Sequence, residues 1–511
     1  MLIKTYSSAV YGIKATTITV EVNISSGTQY FIVGLPDNAI KESTFRIESA
    51  LQSAGLRMPR QKIVVNMAPA DIRKEGSGYD LAIALGILAA SEQINSRRLA
   101  DYLILGELSL DGGVQAVTGV LPIAIQARKE GFKGIILPNA NAREAAIVDD
   151  LLVYGIDHIT EAIQLLHDDK PFSPITVDTR AEFLQHVNHY EFDFADVQGQ
   201  EHIKRALEIA AAGGHNVILI GPPGAGKTML AKRLPSILPP LNLHESLETT
   251  KIHSVAGKIA ATASLMTVRP FRAPHHTVSD VALVGGGGNP QPGEISLAHN
   301  GVLFLDELPE FKRAVLEVLR QPLEERQITI SRAKLTVDYP ASFMLIASMN
   351  PCPCGYYNHP DKDCVCSQAN VQRYLSKVSG PLLDRIDLHV EVTPVNFQEL
   401  VNEKRAESSS VIRLRVEKAR RRQEERFKAS EIHNNAQMGS KKVREVCSLS
   451  QAGQNLLKNA MERLGLSARA YDRILKVSRT IADLANSEEI ELEHLAEAIH
   501  YRSLDRASWA G

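Results

Sequence analysis

Val217-Ile-Leu-Ile runs directly into Gly221-Pro-Pro-Gly-Ala-Gly-Lys-Thr228, and the helix-compatible Met229-Leu-Ala-Lys232 follows. A short apolar strand, a glycine-rich turn and a helix, in that order, constrain this chain more than any other stretch. They fit the phosphate-binding loop G-x-x-x-x-G-K-[ST]. Gly221, Gly224 and Gly226 allow torsions that a Cβ forbids, so successive N–H groups can turn inward on an anion. The following helix aims its positive end at the phosphates. The expected cradle is Gly221, Pro222, Pro223, Gly224, Ala225, Gly226, Lys227 and Thr228. Within it Lys227 reaches the β- and γ-phosphates of ATP, and the Thr228 hydroxyl ligates Mg²⁺. A chance Gly/Pro turn is the bland alternative, and the readable strand and helix on either side weigh against it.

Downstream, Val302-Leu-Phe-Leu ends in Asp306-Glu307. Strand ends of this kind are where α/β sheets place ligand chemistry. Asp306 is expected to hold Mg²⁺ as a Walker-B acid does, and Glu307 to orient and deprotonate the attacking water. A second apolar strand, Phe343-Met-Leu-Ile-Ala-Ser-Met, ends in Asn350. Cys352-Pro-Cys354 and Cys364-Val-Cys366 then hold four of the five cysteines. Four thiolates in two close pairs suit a closed, structural Zn²⁺ site, although C-x-C is tighter than the usual spacing; reduced thiols in a surface loop are the alternative.

Other stretches are ambiguous. Arg269-Pro-Phe-Arg-Ala-Pro-His-His-Thr277 puts two arginines and two histidines among prolines, and four glycines follow at Gly285–Gly288. The glycine run reads as an exposed, mobile turn, and His275 and His276 read as in polar contact with Thr or phosphate rather than on a metal. Phe311 to Gln321 reads as a helix ended by Pro322. Ile328 to Asp338 reads as a hairpin with Arg332 and Lys334 near its tip, suited to phosphate contact or to solvent. The cation-rich run Arg413 to Lys428 carries interleaved glutamates, so a solvated helix with i,i+4 pairs competes with DNA contact. Ser467 caps a helix whose apolar face is Ile474, Val477, Ile481 and Leu484.

With 511 residues the length implies about three domains. A net charge of −2 gives no global basic field, so nucleic-acid contact would need local patches. The opening residues lack a signal peptide and no apolar run could span a bilayer, which together with the sparse cysteines points to the cytoplasm. The pattern divides as 1–167, strands alternating with helices; 168–191, a linker; 192–394, an α/β core carrying the cysteine insert at 351–367; and 395–511, helical.

The order of these motifs resembles the helix-insert branch of the AAA+ ATPases. Arg269-Pro-Phe-Arg-Ala-Pro-His-His and Asn350-Pro-Cys-Pro-Cys-Gly are the stretches most specific to the ComM/YifB group of magnesium-chelatase-like proteins. That resemblance implies an AAA+ core with an insert in its second helix and a C-terminal helical lid. It makes Asn350 a sensor, Arg385 of Leu382-Leu-Asp-Arg a finger for the neighbouring subunit's ATP, and Arg469, or Arg473 one turn on, the lid arginine. Local ion pairing of Asp384, Arg385 and Asp387 is the alternative for that turn. Val197 and Gln198 fall beside the adenine. The first domain resembles the Lon-protease (ribosomal S5 domain 2-like) α+β fold. There the nucleophile position falls on Gly78 in Glu75-Gly-Ser-Gly-Tyr79, and the partner lysine position falls near Val120-Leu121, where no lysine stands. Ser77 is one place off, with no base evident in the sequence, so the domain reads as a non-proteolytic scaffold or nucleic-acid platform. The resemblance further implies a hexameric helicase, assembled with ATP and DNA, that acts on single-stranded and branched DNA in natural transformation, with no membrane. A chelatase-like motor acting on a protein partner, and a Lon-like protease, are the competing readings.

Overall fold

The computed structural model describes all residues except 1, 168–171, 187–189, 260–264, 289, 333–334, 358, 360–361, 395–405, 429, 431 and 503–511. It divides into two units. One comprises residues 1–186, 243–266 and 287–292; the other comprises 187–242, 267–286 and 293–511. Two segments within 192–394, residues 243–266 and 287–292, group with the amino-terminal unit. The stretch expected as linker contains a helix, Thr179–His186.

The amino-terminal unit is built on a seven-stranded mixed sheet. Its order is Tyr30–Val33, Lys62–Ala68, Lys14–Ser25, Leu2–Tyr11, Tyr102–Ile104, Gly134–Pro138, Leu152–Ile156. The period of two along Lys14–Ser25 sends Ile18, Val20, Val22 and Ile24 into the core. The helix Asp80–Ala90 is buried along its whole length, as an all-apolar helix must be. A Cβ at Gly86 would lie 2.8 Å from Val22 Cγ2, so only glycine lets this helix lie so close to the sheet. The helix Leu243–Val255 docks onto this unit. Gly119 N–H donates to Ser254 O at 3.0 Å, and the Ser254 hydroxyl donates to the buried Glu144 carboxylate. Burial pushes the Glu144 carboxyl up, against the Ser254 hydrogen bond.

The second unit holds a five-stranded, all-parallel sheet in the order Phe271–Arg272, Val302–Leu305, Met344–Met349, Val217–Ile220, Leu388–Glu391. Its inner strands are continuous apolar runs because both faces are covered. The helices Ser409–Phe427, Gln451–Leu464, Ala468–Leu484 and Leu492–His500 contribute to the same apolar core, with Ile474, Val477 and Ile481 buried.

Several cations of the cation-rich helix pair within the protein. Arg415 meets Glu208 and Glu407, Arg426 meets Asp483, and Arg422 and Arg420 donate to Asn486 and to the Ala211 carbonyl. The helix expected over Phe311 to Gln321 is two short ones, Arg313–Glu317 and Arg320–Glu325. Pro322 stands in the first turn of the second and does not end the first. There its missing N–H costs no helical bond. Gly285 and Gly286 are buried, not exposed; Gly287 and Gly288 are exposed. The strands Gln327–Arg332 and Leu335–Pro340 pair antiparallel, as the hairpin expects, while residues 333 and 334 and the Arg332 side chain lie outside what is described. Among the described residues no helix is long and apolar enough to cross a membrane.

Candidate nucleotide-binding site

Parallel pairing sets the site. The Val217–Ile220 strand lies beside Met344–Met349, which lies beside Val302–Leu305. Their carboxyl ends therefore deliver the glycine-rich loop, Asn350 and Asp306 to one edge of the sheet. Gly224 and Gly226 take left-handed torsions, φ 79° and 84°. A Cβ at Gly224 would meet nothing within 4 Å, so the loop's face is open there. At Gly221 a Cβ would come 2.2 Å from Val392 O, so the loop's first residue has no room for a side chain.

Lys227 Nζ donates to Gly221 O at 2.6 Å, Pro222 O at 2.9 Å and Asn350 Oδ1 at 3.1 Å. Burial pulls its pKa down, while Asp306 and Glu307 pull it back. Thr228 Oγ1 donates to Asp306 Oδ2 at 2.6 Å, and Ser348 donates to the other carboxylate oxygen. The lysine and the threonine turn inward on the loop's own carbonyls and on the expected metal ligand. The donor set fits a phosphate with Mg²⁺: an ammonium, an open glycine loop, and a hydroxyl beside a carboxylate. Glu307 sits just past the strand in a left-handed conformation, φ 54°, its side chain 57% exposed. Such a conformation costs a non-glycine residue about 1–3 kcal/mol.

The structure thus brings Lys227, Thr228, Asp306 and Asn350 together. It leaves the arginines elsewhere. The Arg385 guanidinium is turned inward, 2.6 Å from Glu324 and donating to Pro381 O at 2.7 Å. Arg469 is exposed and 3.7 Å from Asp384. Arg473 is committed to the fully buried Asp387, which His215 also contacts at 3.3 Å. The local network weighed for the Leu382-Leu-Asp-Arg turn therefore exists with different partners. Val197 is buried in the core. The residue that reaches the loop is Gln200, whose Nε2 donates to Ala225 O at 2.9 Å. Nothing in the sequence singled out Gln200. Ser348 had a signal, as the one hydroxyl in an otherwise apolar strand.

The four cysteines converge. Cys352, Cys354, Cys364 and Cys366 place their sulfurs within 4.8 Å of one another, with Cys352 Sγ 3.3 Å from Cys354 Sγ and 3.6 Å from Cys364 Sγ. Tetrahedral zinc at Zn–S of about 2.3 Å spaces its sulfurs about 3.8 Å apart, so the set is compatible with Zn²⁺. Burial opposes ionisation of Cys354, yet hydrogen bonds from the Tyr356 backbone and Cys352 bring its thiol down to about 6. A Cβ at Gly355 would sit 2.5 Å from Pro223 Cδ, so this knuckle packs directly on the phosphate loop.

In the amino-terminal unit a cavity of about 330 Å³ is lined by Ser77, Gly78, Glu107, Tyr11 and Arg73 among others. Ser77 does have a partner here: its hydroxyl donates to Glu107. Val120 and Leu121 open a helix, Val120–Lys129, and supply no base.

Residues 193–400 match the family described as magnesium chelatase, subunit ChlI; residues 20–141 match subunit ChlI of Mg-chelatase, and 406–502 the ChlI C-terminal family. The chain is 45% identical over 503 residues to the competence protein ComM of Haemophilus influenzae, covering 98% of this chain and 97% of that one. It is 44% identical over 505 residues to the uncharacterised protein YifB of Escherichia coli, covering 98% and 97%. The 38 kDa magnesium-chelatase subunit of Rhodobacter capsulatus is 26% identical over 179 residues, 31% of this chain and 50% of that one. With its glycine-rich loop, acidic strand end and the Asn350 amide assembled on one sheet edge, the chain belongs to the ComM/YifB family of magnesium-chelatase-like AAA+ ATPases.

Proposed function

We propose that this protein is a ring-forming, ATP-driven DNA helicase that migrates branches on single-stranded and branched DNA during transformation and recombination. It acts in the cytoplasm as a hexamer assembled with ATP and DNA. The observation that carries the motor is the pairing of Lys227 with Asn350 and of Thr228 with Asp306 at one sheet edge. Lys227 and the loop amides bind the phosphates, and Thr228 and Asp306 would hold Mg²⁺. The metal would neutralise charge developing between the β- and γ-phosphates. Glu307 takes the proton of the attacking water, and Asn350 orients that water. Arg385 serves the neighbouring protomer after leaving Glu324, and Arg469 closes from the lid. The DNA substrate is supported by the likeness to a competence protein.

The expected domain plan supports this reading. A Lon-like amino-terminal domain, ending near 167, acts as a non-proteolytic scaffold, and the residues from 395 act as the lid. The cysteine knuckle carries structural zinc; elemental analysis of gently purified protein should find about one zinc per chain. Fluorescence anisotropy with forked DNA, with and without ATP, tests the motor's substrate. ATP-dependent binding that weakens steeply with salt is expected. The matches to magnesium chelatase subunits favour one second reading, a motor acting on a protein partner. ATPase activity indifferent to DNA, with no binding at low salt, would select it.

A further inference from the structure

The cysteine knuckle and the phosphate loop share one wall. Asn350, whose Oδ1 accepts from Lys227 Nζ at 3.1 Å, is separated from Cys352 by a single proline. The Cys352 carbonyl accepts from Gly355 N–H at 3.0 Å, which closes the turn Cys352-Pro-Cys-Gly355. Gly355 stands in the left-handed region, φ 86°, with its missing Cβ pointed at Pro223 of the loop. Behind the turn Cys352 and Val371 are fully buried, and Tyr357 and Leu375 pack on them. One small turn therefore leans on the phosphate loop and carries Asn350 at its start.

Its sulfurs stand close enough to react with one another. Cys354 Sγ lies 3.3 Å from Cys352 Sγ and 3.6 Å from Cys364 Sγ. Cys354, Cys364 and Cys366 are half-buried, within reach of small solutes, whereas the fifth cysteine, Cys447, is buried in the main core.

We propose that the knuckle is a thiol-oxidation site through which a peroxide lowers affinity for ATP. This rests on reading Gly221 to Thr228 as the phosphate loop and is independent of the DNA substrate. The Cys354 thiolate attacks the peroxide: an S–O bond forms, the O–O bond breaks and hydroxide leaves, giving a sulfenic acid. The thiolate of Cys352 or Cys364 then displaces a second hydroxide, the S–S bond forming as the S–O bond breaks. Two thiolates together lose two electrons, and one hydrogen peroxide becomes two hydroxides. A sulfur in a disulfide is no longer a thiolate ligand, so a bound Zn²⁺ would keep only two of its four. The turn is then tied differently and is held by little besides Val371, Tyr357 and Leu375. Close-packed neighbours leave no slack, so its displacement is passed to the loop at Pro223 and to Asn350.

The test treats the full chain with hydrogen peroxide and removes the excess with catalase. Free thiols, zinc released to a chromogenic chelator and affinity for a fluorescent ATP analogue are then measured. The expected result is loss of at least two of the five thiols, release of zinc and a fall in analogue affinity of about tenfold or more. Dithiothreitol with added zinc should restore all three, and Cys447→Ser should respond as the wild type does. Thiols that survive peroxide would overturn the proposal, as would affinity within about twofold of the untreated protein once the thiols are lost. Affinity that dithiothreitol and zinc fail to restore would overturn it, because the change would then be denaturation. A Cys447→Ser protein that no longer responds would also overturn it by moving the reactive thiol out of the knuckle. If the untreated protein binds no analogue, the phosphate-loop reading fails first. If it holds no zinc, the metal reading fails, and the thiol and affinity measurements still decide this inference.

Discussion

In the ATPase unit the Thr228 hydroxyl donates to Asp306; in the amino-terminal unit the Ser77 hydroxyl donates to Glu107. The two pairs are chemically alike, yet their surroundings differ. Around Asp306 stand an ammonium, the Asn350 amide, a glycine loop with an open face and a second hydroxyl, Ser348. Around Glu107 the cavity offers Arg73, but Arg73 pairs with Glu75 at 3.1 Å. A hydroxyl on a carboxylate is thus a common way to satisfy two polar groups. It becomes a site only where cations and backbone donors converge on the same space.

The units also differ at one buried aspartate from each, Asp387 and Asp80. Asp387 is wholly buried, and against that burial Arg473 and His215 hold its carboxyl far below the ordinary range. Asp80 opens the helix behind Ser77 and pairs with Arg46 at 2.7 Å, yet burial outweighs that pair and its carboxyl is raised. One unit binds its buried charge more strongly than water does, and the other tolerates it.

The comparison can be broken most sharply at Arg385. If the ATPase unit completes its site from a neighbour, Arg385→Ala should lower ATP turnover by about 10³–10⁵-fold with ATP binding intact. A steady-state ATPase assay on assembled protein, beside nucleotide binding, reads this, and unchanged turnover would leave Arg385 as Glu324's partner alone. Next is Glu307→Gln, expected to lower kcat by about 10²–10⁴-fold while ATP still binds. Third, Asp387→Asn should destabilise the ATPase unit by about 3–5 kcal/mol in denaturant unfolding. A depressed carboxyl stabilises above its unfolded pKa of about 3.9 and loses that contribution as pH falls toward the folded value. The Asp387→Asn penalty should therefore stay flat from about pH 5 to pH 8. For the raised Asp80 the sign reverses: acidification relieves the buried charge and stabilises the wild type, so Asp80→Asn should cost less at neutral pH and its cost should grow as pH falls. The smallest effect is Ser77→Ala, expected to leave ATPase activity and casein stability as in the wild type. Casein cleavage by the wild type that this variant abolishes would give the Ser77–Glu107 pair a chemistry that its surroundings argue against.

The convergence of the Gly221–Thr228 loop, Asp306 and Asn350 was legible because they lie at strand ends with fixed local spacing. The knuckle was legible for the same reason, since Cys352–Cys354 and Cys364–Cys366 are each paired within three residues. The arginines were not. Arg385 lies on Glu324 and Arg473 on Asp387, partners distant in sequence and chosen by packing. In the run from Arg413, Arg415 and Arg426 pair with Glu208 and Asp483 of other helices, partners that the run itself does not show.

By itself the sequence determined the elements and the local chemistry of the phosphate loop, because strand period, glycine torsions and the loop's Lys-Thr pair are properties of adjacent residues. Only the tertiary structure decided that the Leu243–Val255 helix, which follows the phosphate loop in the chain, docks on Gly119 and Glu144 of the amino-terminal unit. It also decided that Phe271–Arg272 of the Arg-Pro-Phe-Arg stretch form a sheet strand, and that His276 lies beside Glu307. Strand adjacency is set by which apolar faces close one core, and no local pattern along the chain encodes it.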